Sequence, residues 1–464
     1  MQLFHTSNRL SATFDDTNLV SAAGLVPALA LAVKTGLGEL ADARLSLSGY
    51  FGANAGLKVT ALVAGMLAGA DSIDDMALLR HGGMKKLFVG TYAPSTLGSF
   101  LRAFTFGHVR QLDAVAWRWL VNVAAITPIV AGIDDYALVD IDDTIKEVHG
   151  YQKQGAGFGY SGVRGLNALI GIVSTPKAAP IIVGSRLRKG STGSPRGAGK
   201  FVGDILATVK RLRSTTATGV VLLRADSAFY GQAVVAAANR AGAKVSITAR
   251  MDPAVKRAIA TIGTDQWTTI NYTDAIRDEE NGAWISSAEV AEVTFTAFSS
   301  RKKSERIEGR LVVRRIPELN QKAGEGQPTL FDTHRFHAFF TTSDLDTVTA
   351  DQTHRQHAII EQINADLKDS ALAHLPSGVF TANAAWLVLA TIAFNLSRAV
   401  GSVAGADLGT ARSGTIRRKL INIPARISTS ARRITLHLPA SWPWETEWTA
   451  AFAAACGPPH TIPT

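Results

Sequence analysis

The sequence predicts an α/β chain, with a mixed-sheet core that carries a β-rich insertion and is preceded by an all-α amino-terminal domain. Three observations predict it. Apolar residues recur at helical spacing from Asp15 to about Trp119, with little strand patterning. After Ala131-Gly132 the period changes, and the segments run strand, strand, strand, helix, strand, helix, strand. From about Gly263 to Pro317 the pattern is strand only, and a long helical stretch begins near Thr347.

The chain has 464 residues, room for two to four domains with sizeable cores. Lys plus Arg number 48 against 38 acids, a net charge of +10 and a pI near 9.7, which favours a polyanionic partner such as nucleic acid. The single cysteine, Cys456, excludes an internal disulfide framework and a cysteine-rich zinc module, and it fits a reducing, cytoplasmic setting. The apolar run 20–33 is shorter than a bilayer span, is interrupted by Pro27 and follows Asp15-Asp16. The run 384–394 is also short and leads into Asn395 and Arg398, so no membrane partner is expected.

Along the chain, helices are expected near 21–40, 56–70, 72–80 and 94–104, giving an all-α domain over 1–132. The segment Ser95 to Arg102 follows a Pro-containing turn and reads either as a helix that touches phosphate backbones or as an ordinary packed helix. Strands are expected at 136–144, 166–174 and 179–187, with a Gly-rich link at 150–165 between the first two. A basic stretch from Arg186 to Lys200 leads into a helix at 201–213, then a strand at 219–223 running into Arg224-Ala225-Asp226-Ser227, a helix at 231–241 and a strand at 244–250. Runs at 267–272, 290–298 and 310–316, a polar loop at 324–328 and a strand at 335–341 follow. Residues 133–262 are therefore taken as the first part of the core, 263–333 as an insertion into it and 334–405 as its last strand and helix, with 406–464 a basic carboxyl-terminal region. A separate small domain is the alternative for the insertion.

Three carboxylates sit inside the first strand, in Leu138-Val139-Asp140-Ile141-Asp142-Asp143-Thr144. Alternation places Asp140, Asp142 and Thr144 on one face and Asp143 on the other. Two like charges on one buried face cost several kcal/mol, on the order expected for desolvated ions, unless a cation or basic group neutralises them. A divalent metal would do so; the other reading is a strand that ends at Ile141, with the acids capping a turn. In the helix expected at 347–367, His354, His357, Glu361, Asn364 and Lys368 recur at three- and four-residue offsets and share one stripe, either a solvated face or a set of phosphate contacts around one acid.

These residues resemble the DDE-type bacterial insertion-sequence transposases, in the group with a β-rich insertion and a Y-x2-R-x3-E-x6-K signature. Asp142-Asp143-Thr144 resembles the first acid motif, Asp226 in Arg-Ala-Asp-Ser-Ala-Phe-Tyr the second, and Glu361 with Lys368 the E-x6-K element. His149-Gly150-Tyr151-Gln152, Gly159-Tyr160, Asn383-Ala384-Ala385-Trp386 and Phe394-Asn395-Leu396 resemble the same group. The separation of 135 positions from Asp226 to Glu361 suits an interrupted core. Where the signature has Tyr and Arg, this chain has His354 and His357, with Arg355 adjacent.

The resemblance implies a ribonuclease H-like core in which Asp142, Asp226 and Glu361 hold two Mg²⁺ ions, for which Mn²⁺ substitutes, about 4 Å apart. It implies a DNA-binding role for the domain over 1–132, cleavage at the terminal repeats of an element, joining to target double-stranded DNA, and a homodimeric synaptic complex. Asp140 is a reserve metal ligand or a group that supports one. His354, Arg355, His357, Lys368, Arg186, Arg188, Lys189, Lys210 and Arg211 are expected DNA contacts, with solvated or scattered charge as the alternative. Trp267 and Trp284 are candidates to hold a flipped base, against ordinary core packing. The other functional readings are a metal-dependent nuclease that cuts without joining and a non-enzymatic DNA-binding protein derived from such an element.

Overall fold

The structure is a computed structural model that describes residues 1–4, 6–277, 284–317, 334–430 and 433–457, with the side chains of 271–277, 284–287 and Pro317 outside that description. Helices come first, as the apolar spacing requires: α1 (Leu25–Lys34), α2 (Leu37–Arg44), α3 (Gly49–Gly52), α4 (Ala55–Ala68), α5 (Met84–Leu87), α6 (Pro94–Arg102) and α7 (Phe106–Ile126). The run expected over 21–40 is two helices, because Gly36 takes a φ of +75°, a left-handed turn that glycine adopts without Cβ strain. The 72–80 segment is a 3-10 turn at Asp74–Leu79. α6 buries Leu97, Phe100 and Leu101, so it is a packed helix. α7 starts at Thr105, whose hydroxyl accepts from the His108 backbone N–H.

The next segments build one ten-stranded mixed sheet. They are β2 (Tyr136–Glu147), β3 (Gly157–Phe158), β4 (Arg164–Thr175), β5 (Ala178–Lys189), α8 (Ala198–Leu212), β6 (Val220–Ala225), α9 (Gln232–Arg240), β7 (Lys244–Thr248), α10 (Pro253–Ile259), β8 (Thr268–Arg277), β9 (Trp284–Ala297), β10 (Ile307–Pro317) and β11 (His334–Thr341); the short β1 (Leu19–Val20) lies outside this sheet. The order is β3-β4-β2-β6-β7-β11-β10-β9-β8, with β5 also on β4. β2 runs antiparallel to β4 and parallel to β6, and β7 runs parallel to β6. The strands read from the sequence as an insertion extend this sheet through β11, which pairs with β7. They bury a small cluster of their own, Ile270, Ala288, Val290 and Ile316, and share another with α10 and β11 through Leu311, Val313, Val255 and Ala338. The expected loop at 324–328 lies outside the described residues.

The long helix expected over 347–367 is interrupted. α11 (Thr347–Arg355) passes through a 3-10 turn, Gln356–Ala358, into α12 (Ile359–Lys368). α13 (Phe380–Ala404) follows, then α14 (Ala406–Thr410), α15 (Ser413–Ile416), β12 (Ala425–Ser430), β13 (Arg433–His437) and α16 (Glu445–Cys456). α13 spans 25 residues, longer than the apolar run 384–394 suggested, and by length and composition it could cross a membrane. Here 89% of its most apolar window is buried inside the protein. The α4, α6 and α7 helices and α16 pack around it, and the Asn395 amide docks it on β5, accepting from Ile182 N–H at 2.9 Å and donating to Ile182 C=O at 2.8 Å. One continuous apolar core therefore joins the amino-terminal helices to the sheet. The boundary read at residue 132 marks a change of secondary structure within that core. The amino-terminal part is also not wholly helical, since β1 pairs with β12.

Candidate active site

The parallel pairing of β2 with β6 sets Asp140 opposite Arg224 and Ile141 opposite Ala225. By alternation, Asp140 and Asp142 share a face with Arg224 and Asp226, and the two aspartates Asp142 and Asp226 lie one same-face step beyond the Asp140–Arg224 pair. That inner pair is neutralised. Asp140 is 0% exposed and Arg224 1%, and the guanidinium donates from Nε and Nη2 to the two carboxylate oxygens at 2.7 Å each. Arg224 Nη1 also donates to Thr353 C=O at 2.6 Å, and His357 Nδ1 lies 3.0 Å from Asp140 Oδ1. With both oxygens engaged, Asp140 supports the site through Arg224 and His357; its place as a free ligand is corrected by this bidentate pair.

The outer pair has no such partner. Asp142 Oδ1 accepts from the Asp143 N–H at 2.7 Å and Oδ2 from Asn364 Nδ2 at 3.0 Å. Asp226 caps the short turn after β6, accepting from Ala228 N–H at 3.1 Å. Burial pushes the Asp142 carboxyl up to about 7, the nearby Asp226 and Asp143 charges push the same way, and the Asp143 N–H and His357 oppose them. Burial also raises Asp226. Two like charges, both disfavoured and neither in an ion pair among the described residues, are the electrostatic signature of a cation site.

Asp143 faces away, as alternation requires. It is held by Arg188, by Asn167 Nδ2 at 2.8 Å and by Ser194 Oγ at 3.2 Å. Arg188 is only 9% exposed and spends its remaining donors on Asn167 Oδ1 and on the Ser194 and Arg196 carbonyls. Its expected role as a DNA contact is corrected accordingly: every nitrogen of this side chain is used inside the protein.

The 354–368 stripe divides in the same way. His354 places Nδ1 2.9 Å from Ser246 Oγ and Nε2 3.0 Å from Thr248 Oγ1, and its ring stacks on Phe339 with 4.1 Å between centroids. Burial pushes its pKa down to about 3, so the ring is neutral and both nitrogens are occupied; the expected phosphate contact there is corrected to a packing role. Replacing His354 with Phe keeps the stack and strips two hydrogen bonds. A loss of about 1–3 kcal/mol in urea unfolding is expected, with the salt dependence of DNA binding unchanged.

Arg355 donates to the buried Asp351 at 2.9 Å. His357 and Asn364 reach β2 from positions about two turns apart, through Asp140 and Asp142. Glu361 belongs to the same stripe between them, is exposed, and makes no hydrogen bond or ion pair among the described residues. The structure thus brings Asp142 and Asp226 together and leaves Glu361 at the rim. Among the described residues no three His, Cys, Asp or Glu side chains form a ready-made ligand set for a metal.

Asn364 supplies a donor atom of another kind. It is 6% exposed, and its Oδ1 is buried without a hydrogen-bond partner while Nδ2 is on Asp142. An orphaned amide oxygen beside two uncompensated carboxylates is a hard-oxygen set that fits Mg²⁺ or Mn²⁺. The sequence reading passed over Arg224 and used Asn364 only as a member of the stripe. The signal for Arg224 was present: Asp-x-Asp and Arg-x-Asp on neighbouring parallel strands pair Asp140 with Arg224 when the strands are in register.

Lys189 and Lys210 are exposed. Arg211 is exposed with its guanidinium 4.5 Å from the Trp117 ring centroid, and Arg186 pairs with Asp204 at 3.1 Å. Trp267 is part-buried beneath Arg315, 4.2 Å from its ring centroid, and packs on Phe336, so the flipped-base role is corrected to packing; the Trp284 side chain lies outside the described residues.

Residues 4–455 match the family described as Transposase DDE domain group 1. No curated protein matches the chain. With a family match that runs through nearly the whole sequence, this chain belongs to the DDE transposase family, group 1.

Proposed function

We propose that the chain cuts DNA at the ends of a mobile element and joins those ends to target DNA by metal-assisted phosphoryl transfer. The observation that carries this reading is the contrast between two neighbouring charge pairs: Asp140 is neutralised by Arg224, while Asp142 and Asp226 make no ion pair among the described residues and burial disfavours the charge on both. The order β5-β4-β2-β6-β7, antiparallel for three strands and parallel for the rest, supports a ribonuclease H-like core.

Asp142, Asp226 and the Asn364 amide oxygen would hold the divalent cations, with Glu361 joining from the rim. When bound, the cations supply a Lewis acid that activates the attacking water or 3′-hydroxyl and stabilises the leaving oxygen. Asp142 releases any proton it carries as the cation binds. The Asp140–Arg224 pair ties β2 to β6 and keeps the two outer carboxylates on one face. Lys368, at the end of α12, contacts a phosphate near the cut. Two such sites acting on two element ends imply a homodimeric complex on double-stranded DNA.

The test is cleavage of a labelled duplex that carries the parent element's terminal repeat, with Mg²⁺ or Mn²⁺, comparing wild type with Glu361→Gln. Glu361 is exposed, so the variant is expected to fold normally and to lose breaks at the repeat boundary by about 10³-fold or more. Salt-sensitive binding with no cleavage by the wild type would overturn the catalytic reading.

A further inference from the structure

Residues 10–14, Leu-Ser-Ala-Thr-Phe, alternate apolar and polar, the period of an extended segment with one apolar side. The backbone agrees. A 3-10 turn at Ser7–Arg9 ends in Leu10 with φ −100° and ψ 137°, and no helix or turn follows until Thr17. Leu10 and Phe14 are 53% and 109% exposed, and among the described residues the hydrogen bonds of 6–14 are with one another. This arm is nonetheless rooted. Asp16 pairs with Arg426 at 3.3 Å, Lys86 donates to Thr17 Oγ1 and Asn18 Oδ1, and the Gly83 N–H donates to Leu19 C=O at 2.7 Å. Extended, the six positions from Asp16 back to Leu10 reach about 20 Å.

The short α5 helix that holds the root leads into an apolar groove. Leu87 and Val89 line it together with Leu29 and Val33 of α1 and Leu57 and Ala61 of α4, around about 360 Å³. Val89 is 86% exposed and Val33 and Leu57 are exposed too, so the apolar surface continues to the rim. The groove and the arm are opposite in charge. Glu39 and Asp42 are the charged residues that line the groove, both acids, and Arg9 is the charged side chain of residues 6–14.

We propose that two copies of this chain exchange these arms: Leu10 and Phe14 of each enter the groove of the other, between α1, α4 and the 87–91 segment, and Arg9 meets Glu39 at the groove's edge. The occupant is a second copy because in the single chain the arm stands clear of its own groove, with Phe14 wholly in solvent. Exchange buries the apolar side of both arms and leaves the two folded bodies unchanged. The contact uses neither DNA nor a cation, so it joins two chains before either binds an element end, and it does not rest on the transposase reading.

The test is sedimentation velocity of the full chain across the micromolar range, in EDTA and without DNA, where the wild type is expected to be a dimer. Phe14→Ser and Val89→Arg change exposed positions and are expected to fold as wild type does. Each should raise the dissociation constant by about 100-fold or more, since each removes both exchanged contacts. The two combined in one chain should cost little beyond either alone, because the same contacts are lost. Arg9→Glu should weaken the dimer by about 5-fold, and Glu39→Lys in the same chain should restore it. An equal mixture of Phe14→Ser and Val89→Arg chains keeps one intact arm against one intact groove, and heterodimers of intermediate strength are expected from it. A wild type that stays monomeric, as an arm docked in its own groove would leave it, or a dimer that neither variant weakens, would overturn the exchange and leave the transposase reading intact. An exchanged dimer that cuts no DNA would overturn only the catalytic reading.

Discussion

Arg224→Met is expected to destabilise the chain by about 3–5 kcal/mol, because it strands the Asp140 carboxylate in a fully buried position without its counter-ion. Asp140→Leu should cost a comparable amount by stranding the guanidinium. The double variant, Asp140→Leu with Arg224→Met, removes both charges and is expected to recover most of the loss, since replacing a buried pair by apolar groups of similar size is often neutral. Chemical denaturation of all four proteins checks this. Additive losses in the double variant would show that the two side chains act independently, against the bidentate geometry. His357 makes a further demand, since its Nδ1 faces Asp140, and Asp140→Leu removes that anchor. The stable double variant is therefore expected to remain defective in cleavage, which separates the folding role of the pair from its positioning role.

The metal-free protein is expected to lose stability as pH rises from about 4 to about 7, and Asp142→Asn should flatten that slope. The sign follows from proton binding. Asp142 has an ordinary value near 3.9 in the unfolded chain and is pushed up to about 7 in the folded one, so between those values the folded state holds a proton that the unfolded state has released. The contribution is fully present below about pH 4 and is gone above about pH 7. The full difference corresponds to about 4 kcal/mol as an upper bound, lowered by solvent screening. Asp226 shifts in the same direction, and Asp113, pushed up to about 6 by burial against the opposing Arg110 charge, adds a parallel slope. The difference between wild type and Asp142→Asn isolates the site. At pH 7.5, Mg²⁺ or Mn²⁺ should raise the thermal midpoint of the wild type and leave that of Asp142→Asn nearly unchanged. Equal pH profiles for the two proteins would remove the uncompensated pair as the cation site.

The sequence by itself determined the alternation around Asp140, Asp142 and Asp143, and the structure keeps it: the first two share a face and the third turns toward Arg188. It also determined the succession of strands and helices from 136 to 250 and the stripe from His357 to Lys368, because side-chain periodicity is a local property of the backbone. Only the tertiary structure decided which partner each charge meets. Arg224 reaches Asp140 across 84 residues, and nothing local to either residue specifies that register. Arg188 and Arg355 carry the same charge as the exposed Lys189 and Lys210, yet the fold gives each arginine a carboxylate, part-buried Asp143 or buried Asp351, and leaves the lysines in solvent. His354 sits on the same helical stripe as Glu361, but the break at Gln356–Ala358 and the packing on Phe339 turn the first into a core ring and leave the second at the rim. The helices before residue 132 likewise show their own apolar faces in sequence, and it is the buried α13 helix, contributed from the far end of the chain, that draws them into one core with the sheet. Periodicity reports which face a residue occupies; register, burial and the charge across the gap determine what that residue does.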